Sequence, residues 1–239
     1  MKGLVVAMQF LTRLPMPRIA VSGEDFAGSM RWFPAVGLII GAIVAASGWA
    51  GARMDSWTGA GAALILWVTV TGALHLDGLG DIADASGAAH KDRDRMLTVL
   101  ADPHVGSFAV VTIFLQLLAK LVLLHGLIEA GAYAAIALIP FAARIGPLLW
   151  SHRLPDLHSG LGSRFRGVVR PVHLFGWFLC LTLALWVSPS LLAAPFALIL
   201  WGWWLRRAIG GISGDGHGAG IEVTESLLLL AALIWVHLP

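Results

Sequence analysis

The sequence predicts an all-α protein, a polytopic transmembrane helical bundle with six or seven spans and a polar site that faces the cytoplasm. Three observations predict this class. Of the 239 residues, 58% are hydrophobic and only 13% are charged, whereas a soluble domain carries about 25% charged residues. Several apolar runs approach the roughly 20 residues that a helix needs to cross a bilayer. Most of the charged residues collect in a few segments between these runs.

The apolar runs define the candidate spans. They are residues 33–53, 59–76, 105–127, 131–150, 172–187, 190–205 and 225–238. The last three are short, and we expect them to be tilted, re-entrant or paired as a hairpin. The N-terminal run lacks a small-residue cleavage site, so we expect a retained helix at the membrane surface rather than a signal peptide. Cys180 lies inside an apolar run and is expected to be buried. Residues 1–239 are predicted to form a single integral membrane catalytic domain.

The basic residues are unevenly distributed between the two sides of the predicted bundle. With a cytoplasmic N-terminus, 13 of the 16 lysines and arginines fall on that same side, as the positive-inside rule requires of the cytoplasmic face. They are Lys2, Arg13, Arg18, Arg31, Lys91, Arg93, Arg95, Arg153, Arg164, Arg166, Arg170, Arg206 and Arg207. Long charged loops are common on this side of membrane proteins, so the charge alone leaves open whether a site lies there.

The first candidate site is the stretch "LHLDGLGDIADA" at 74–85. Asp77, Asp81 and Asp84 are spaced four and three apart, which puts them on one side of a helix, and His75 lies at the same end. Ionisable residues at membrane depth are costly and usually mark function. Carboxylate oxygens suit Mg²⁺, which they often bridge to substrate phosphates. The alternative is a solvated helix end that pairs with the basic residues at 91–95.

The second candidate site is "RRAIGGISGDGHGAGIEVTE" at 206–225. Two arginines suited to phosphate precede a glycine-rich turn, where backbone amides can approach an anion, and the acids that follow suit a metal. The pattern is neither a Walker loop nor a dinucleotide fingerprint, so a flexible loop is the alternative. The candidate residues are Arg206, Arg207, Gly214, Asp215, Gly218 and Glu222.

Two further features carry charge. Arg144 lies within an apolar span and needs an anionic partner, for which a substrate phosphate and one of the clustered aspartates are both candidates. The basic segment 151–170 could clamp phosphates or anchor to anionic lipid. The sequence has no Gly-x-Ser-x-Gly elbow, no Cys/His zinc spacing and no basic soluble face interleaved with aromatics. Nucleic-acid binding is therefore not expected.

Taken together, these segments resemble the cobalamin synthases, the adenosylcobinamide-GDP ribazoletransferases of the bacterial inner membrane. The resemblance rests on "FLTRLPMP" at 10–17, "FPAVGLIIGAI" at 33–43, "HLDGLGDIADA" at 75–85, "DRDRMLTVLADPHVGSF" at 92–108, "GLG" at 160–162 and "GGISGDGHGAGIEVTE" at 210–225. The blocks follow the family's order from end to end. Gly80, Ser213 and the pair Gly216-His217 depart from the commoner residues, but no acid is lost.

The resemblance implies a late step of cobalamin biosynthesis. The family transfers α-ribazole, or its 5′-phosphate, onto adenosylcobinamide-GDP, releases GMP and depends on magnesium. Its members are embedded in the lipid of the bacterial inner membrane, and the resemblance leaves open whether they form homo-oligomers. We expect Asp77, Asp81, Asp84, Asp215 and Glu222 to hold Mg²⁺, with Asp81 or Asp77 in the catalytic role. The expected substrate contacts are His75, Arg144, Arg206, Arg207, Gly214 and Gly218.

Two other functions fit parts of the pattern. A CDP-alcohol phosphotransferase also binds metals through aspartates on membrane helices, but its motif requires Asp-Gly followed closely by Ala-Arg, and here Asp77-Gly78 is followed by Leu-Gly-Asp. A transporter for metal ions or corrinoids would use intramembrane charges such as Arg144. Transporters, however, bind their substrates near the bilayer midplane between repeats, whereas the acids here gather at one interface.

Overall fold

The protein is described by a computed structural model that covers residues 2–88, 93–157, 165 and 167–238. In these ranges the chain forms twelve α-helices and no strand beyond an isolated bridge between Asp156 and Ile212. The helices are α1 Lys2–Leu11, α2 Gly23–Ser29, α3 Phe33–Gly51, α4 Ser56–Thr71, α5 Leu74–Ala88, α6 Arg93–Leu100, α7 Ser107–Glu129, α8 Tyr133–Ala143, α9 Gly146–Arg153, α10 Pro171–Ala184, α11 Ala194–Ala208 and α12 Gly214–Val236. Residues 158–164 and 166 of the basic segment 151–170, which was expected to contact phosphate or lipid, lie outside the described residues.

The long apolar helices confirm an all-α polytopic membrane protein. Four helical segments in the described chain are long and apolar enough to cross a membrane: Gly23–Gly51, Ser107–Glu129, Tyr133–Arg153 and Gly214–Val236. The pair α4 and α5 adds a fifth if it counts as one broken span. The expected six or seven spans agree roughly with this count. The difference arises because α10 and α11 have only 14 and 15 residues. At 1.5 Å per residue they fall short of a hydrocarbon core about 30 Å thick.

A sharp bend separates α4 from α5. Gly72 and Ala73 have φ angles of 61° and 57°, and the two helix axes differ by 84°. The left-handed conformation costs a non-glycine residue such as Ala73 about 1–2 kcal/mol, so the surrounding packing must hold it. The backbone N–H of Arg13 donates to the carbonyl of Val70 at 2.7 Å and ties the end of α4 to the segment after α1. The predicted span 59–76 therefore ends at Thr71, and the aspartates lie on a separate helix.

Glycines allow the central helices to touch backbone to backbone. α3 packs between α4 and α8, and a Cβ atom on Gly41 would clash with the carbonyl oxygen of Ala137. Cys180, on α10, is exposed rather than buried as expected, because α10 packs on the bundle through Leu181 on another side of the helix. The close helix packing therefore involves α3, α4 and α8 rather than α10.

The glycine-rich segment expected to form a turn is instead the start of α12. The side chain of Ser213 caps this helix and accepts from the Gly216 amide at 3.0 Å. Gly218 lies inside this helix rather than in a turn, and its expected contact with substrate stays a prediction. The glycines instead make room for neighbours, since a Cβ atom on Gly220 would clash with the Trp150 ring.

The polar segments between the helices meet at one end of the bundle. The Asp84 carboxylate on α5 accepts from the amide of Gly106 just before α7. The backbones of Pro155 and Leu157, after α9, pair with Ile212 just before α12. The chain thus brings segments that are distant in sequence to one end, as the predicted distribution of charge requires.

Candidate active site

A cavity of about 290 Å³ opens at this end, and two of the predicted aspartates line it. Asp77 comes from α5 and Asp215 from the first turn of α12. The rest of the lining is largely apolar and comes from α1, α3, α5, α9, α12 and the segment before α10. It consists of Phe10, Leu11, Phe33, Leu74, His75, Pro147, Phe165, Gly214, His217, Gly218 and Ile221. Carboxylates and an aromatic wall therefore share one cavity.

Two glycines set the distance between the helices that carry these aspartates. A Cβ atom built on Gly78 would lie 2.8 Å from the carbonyl oxygen and 2.9 Å from the Cα of Asp215. One built on Gly218 would lie 3.3 Å from the Cα of His75. A distance below 3.0 Å leaves no room for a side chain at Gly78, whereas the 3.3 Å at Gly218 is a tight contact, so the close approach of α5 and α12 depends most on Gly78.

The carboxylates of this end act on one another. Asp81 is half-buried, and the negative charges of Asp215, Asp77 and Asp84 all bear on it, with Asp215 the strongest of the three. Like charges at short range repel, and a bound divalent cation would relieve that repulsion. As the side chains stand, no three His, Cys, Asp or Glu residues among those described converge closely enough to form a metal site on their own. Mg²⁺ commonly uses only one or two carboxylates and completes its shell with water and substrate phosphates, so the donor set still fits.

Asp84 has a structural role that the sequence did not predict. Its two oxygens accept from the amides of Gly106 and Ala109, at 2.7 and 3.0 Å. These are orphan N–H groups at the start of α7, where a negative charge also meets the positive end of the helix dipole. The Asp84 carboxylate therefore caps α7, and a role for it in binding metal stays a prediction.

Glu222 and Arg144 also lie in a different place from the one expected. Glu222 is buried and accepts from Lys120 at 2.7 Å, whereas Arg144 is fully buried and pairs with Glu225 at 2.8 Å. Both buried charges already have partners within the helix bundle. Neither a substrate phosphate nor a clustered aspartate is the partner of Arg144, and Glu222 does not line the cavity with Asp77 and Asp215.

Two glycines and two arginines were also predicted to contact the substrates. Gly214 and Gly218 both line the cavity that contains Asp215. Arg206 and Arg207 are exposed in the last turn of α11 and do not line this cavity. Arg206 lines a second cavity together with Arg153, and the Arg207 guanidinium lies 5.1 Å from the Trp203 ring centre. A phosphate contact by either arginine stays a prediction.

The sequence interpretation missed the inner wall of the cavity. Phe10, Phe33 and Phe165 come from three distant segments, and their rings lie 5.7 to 6.2 Å apart. His217 on α12 adjoins Phe165, with ring centres 6.5 Å apart. Each phenylalanine is an ordinary apolar residue within its own run. The available signals were that Phe10 and Phe33 begin two of the blocks that carry the family resemblance and that His217 lies near Asp215 in sequence.

The fold and the site define a polytopic helical membrane protein in which carboxylates and an aromatic cavity meet at one end of the bundle. The chain belongs to the cobalamin-5-phosphate synthase family, whose model matches residues 3–233. It is similar to proteins named adenosylcobinamide-GDP ribazoletransferase. One from Novosphingobium aromaticivorans is 62% identical, with 99% of each chain covered. One from Laribacter hongkongensis is 50% identical, over 100% of this chain and 99% of the relative. One from Thiobacillus denitrificans is 45% identical over 97% and 95%. No solved structure matches the chain.

Proposed function

We propose that this chain is an adenosylcobinamide-GDP ribazoletransferase that joins α-ribazole, or its 5′-phosphate, to adenosylcobinamide-GDP and releases GMP. The observation that carries the proposal is that Asp77 and Asp215, 138 residues apart in sequence, line one cavity at the end of the bundle where the polar segments meet. Family membership and the names of the relatives support the same activity. We place the protein in the bacterial inner membrane with this cavity facing the cytoplasm, as the distribution of basic residues favours.

The reaction is a substitution at phosphorus. A ribose hydroxyl that is free in both α-ribazole and its 5′-phosphate, and therefore not the 5′-hydroxyl, forms a bond to the phosphorus attached to cobinamide, and the bond from that phosphorus to the bridging oxygen breaks. The bridging oxygen leaves with its electron pair on GMP, and the hydroxyl proton passes to a base. Such reactions depend mainly on positioning and on neutralising charge at the phosphoryl oxygens. The chain must therefore hold two substrates in line and keep a proton acceptor nearby.

The aspartates supply the groups that this reaction needs. Asp77 and Asp215 would hold Mg²⁺, and Asp81 lies one turn beyond Asp77 on α5, near enough for the charges of both to act on it. When bound, the ion neutralises charge on the diphosphate. Asp81 is half-buried among these acids and is the candidate acceptor of the hydroxyl proton. Water is limited on the inner side by the apolar wall of the cavity, which protects the diphosphate from hydrolysis.

The proposed activity is tested by measuring GMP release from adenosylcobinamide-GDP and α-ribazole by the full-length protein in detergent. We expect GMP and the joined corrinoid in equal amounts, loss of both on treatment with EDTA, and recovery with Mg²⁺. Lipid product from CDP-diacylglycerol and an alcohol would favour the phosphotransferase alternative. Corrinoid uptake into sealed vesicles without GMP release would favour the transporter.

Replacing Gly78 with alanine is expected to lower the rate of ribazole transfer by roughly 10- to 100-fold, because the new methyl group pushes α5 away from Asp215 and catalysis is sensitive to misplacements of about 1 Å. The matched control is Gly61→Ala, since nothing lies within 4 Å of that position in α4. Kinetics of both variants in detergent check the expectation. Equal activity of the Gly78→Ala and Gly61→Ala variants would mean that close contact of α5 and α12 is not required.

A further inference from the structure

The inner part of the cavity is built for a flat ring. Phe10, Phe33 and Phe165 line it, and the rings of Phe33 and Phe165 meet edge to face. His217 adds another flat ring, stacked against Trp150 with centres 6.2 Å apart. Aromatic walls bind planar ligands through stacking and edge contacts, with a large apolar area for each residue. The lining predicts a ligand that is planar and mostly apolar.

Two buried imidazoles give this wall its polar groups. His75 is 3% exposed and His217 is 6% exposed. Nε2 of His75 and Nδ1 of His217 have no hydrogen-bond partner among the described residues. Buried polar atoms are nearly always satisfied in folded proteins, and both residues line the cavity. A bound ligand is the simplest source of the missing partner.

The contacts of His75 fix which of its nitrogens carries the proton. Its Nδ1 lies 3.4 Å from Nη2 of Arg144, and a guanidinium can only donate. Nδ1 therefore has to accept, and the proton of the neutral ring sits on Nε2. His75 consequently presents one N–H donor to a ligand that brings one acceptor.

We infer that this cavity binds the base of the incoming nucleoside, with its free ring nitrogen accepting from Nε2 of His75. The inference rests on the proposed function and adds the location and the recognition of one substrate. The base of α-ribazole is a fused two-ring system, apolar except for one free nitrogen, which matches an aromatic wall with a single fixed donor. Asp77 and Asp215 at the same cavity then lie next to the ribose, where the attacking hydroxyl must react.

The other substrate fits this cavity poorly. Guanine carries several donors and acceptors around its rings, and each would need a polar partner on burial. Apart from the two histidines and the two aspartates assigned to the metal, the described lining offers only apolar side chains, proline and glycine. A corrin macrocycle with its side chains is larger than a cavity of about 290 Å³. We therefore place adenosylcobinamide-GDP outside the cavity, with only its diphosphate near the aspartates.

The test compares α-ribazole with an analogue in which a C–H group replaces the free ring nitrogen. In the wild-type protein we expect kcat/KM for the analogue to be lower by about ten-fold, the usual effect of one lost hydrogen bond. In the His75→Phe variant the two nucleosides should react equally well, each about ten-fold more slowly than α-ribazole does with the wild type. In the His75→Gln variant, which keeps an N–H donor, the preference for the ring nitrogen should return in part.

Distinct outcomes would overturn the inference. An unchanged preference in His75→Phe, or none in the wild type, would mean that His75 does not read the ring nitrogen. If His75→Phe is inactive, Phe165→Leu decides, because it should raise KM for α-ribazole several-fold and leave KM for adenosylcobinamide-GDP unchanged. The reverse pattern would place guanine in the cavity. A wild-type protein that releases no GMP with either nucleoside would instead contradict the proposed function itself.

Discussion

Replacing Asp215 with asparagine is expected to slow GMP release by about 100-fold or more. The substitution keeps the shape of the side chain but removes one of the charges that Asp77 and Asp215 bring to the same cavity. Removing a single electrostatic contact to a developing charge commonly costs about 100- to 1,000-fold in kcat. The measurement is steady-state release of GMP by the full-length protein in detergent, with both substrates and Mg²⁺ saturating.

Two comparisons make this prediction specific. Asp77→Asn should show a loss of the same size, and the double variant should be little worse than either single one, because groups that act as a unit are not additive. The control is Glu129→Gln, an exposed acid at the far end of α7, which should leave the rate unchanged. An Asp215→Asn variant that keeps more than about a third of wild-type activity would show that Asp215 is not part of the active site.

Replacing Lys120 with methionine is expected to lower the free energy of unfolding by about 3–5 kcal/mol. Lys120 is buried, donates to Glu222 and Glu225 at 2.7 and 2.6 Å, and lies 4.4 Å from the Trp67 ring centre. Its loss leaves Gln116, a neutral donor at 2.9 Å, as the one side-chain partner of the Glu222 carboxylate among the described residues. Breaking a buried ion pair from one side leaves an uncompensated charge, which is far costlier than losing a surface pair.

The same network offers its own control. The double variant with Lys120→Met and Glu222→Leu removes one charge of each sign and keeps the Arg144–Glu225 pair, so it should regain most of the lost stability. Lys2→Met breaks an exposed pair with Asp25 and should change stability little. Thermal unfolding of the full chain in one detergent measures all three. If Lys120→Met unfolds at the same temperature as Lys2→Met, the buried network is not a source of stability.

Features that depend on local pattern were predictable from the sequence. The apolar runs predicted the long helices, because a run of about 20 apolar residues has few other stable arrangements. The spacing of Asp77 and Asp81 predicted a shared helix face, which α5 provides. The distribution of charge predicted that separate polar segments would meet, and Asp77 and Asp215 do line one cavity.

Features that depend on distant partners were not predictable. The roles of Asp84 and Arg144 follow from contacts with Gly106 and Glu225, 22 and 81 residues away, and no periodicity in the sequence encodes them. The start of α12 was misread as a turn because glycine disfavours helices on its own. In the folded chain, those glycines allow α12 to pack closely against α5 and Trp150, and the tertiary contact outweighs the local preference.

The most direct test of the account is whether Asp77 and Asp215 bind the same divalent cation. Mn²⁺, which is paramagnetic, can be titrated into the full-length protein in detergent with GDP present, and free ion measured by electron paramagnetic resonance. Asp77→Asn and Asp215→Asn should each weaken Mn²⁺ binding by roughly ten-fold or more, and the double variant should lose little further. Wild-type affinity in both single variants, or losses that simply add in the double variant, would contradict a shared ion at this cavity.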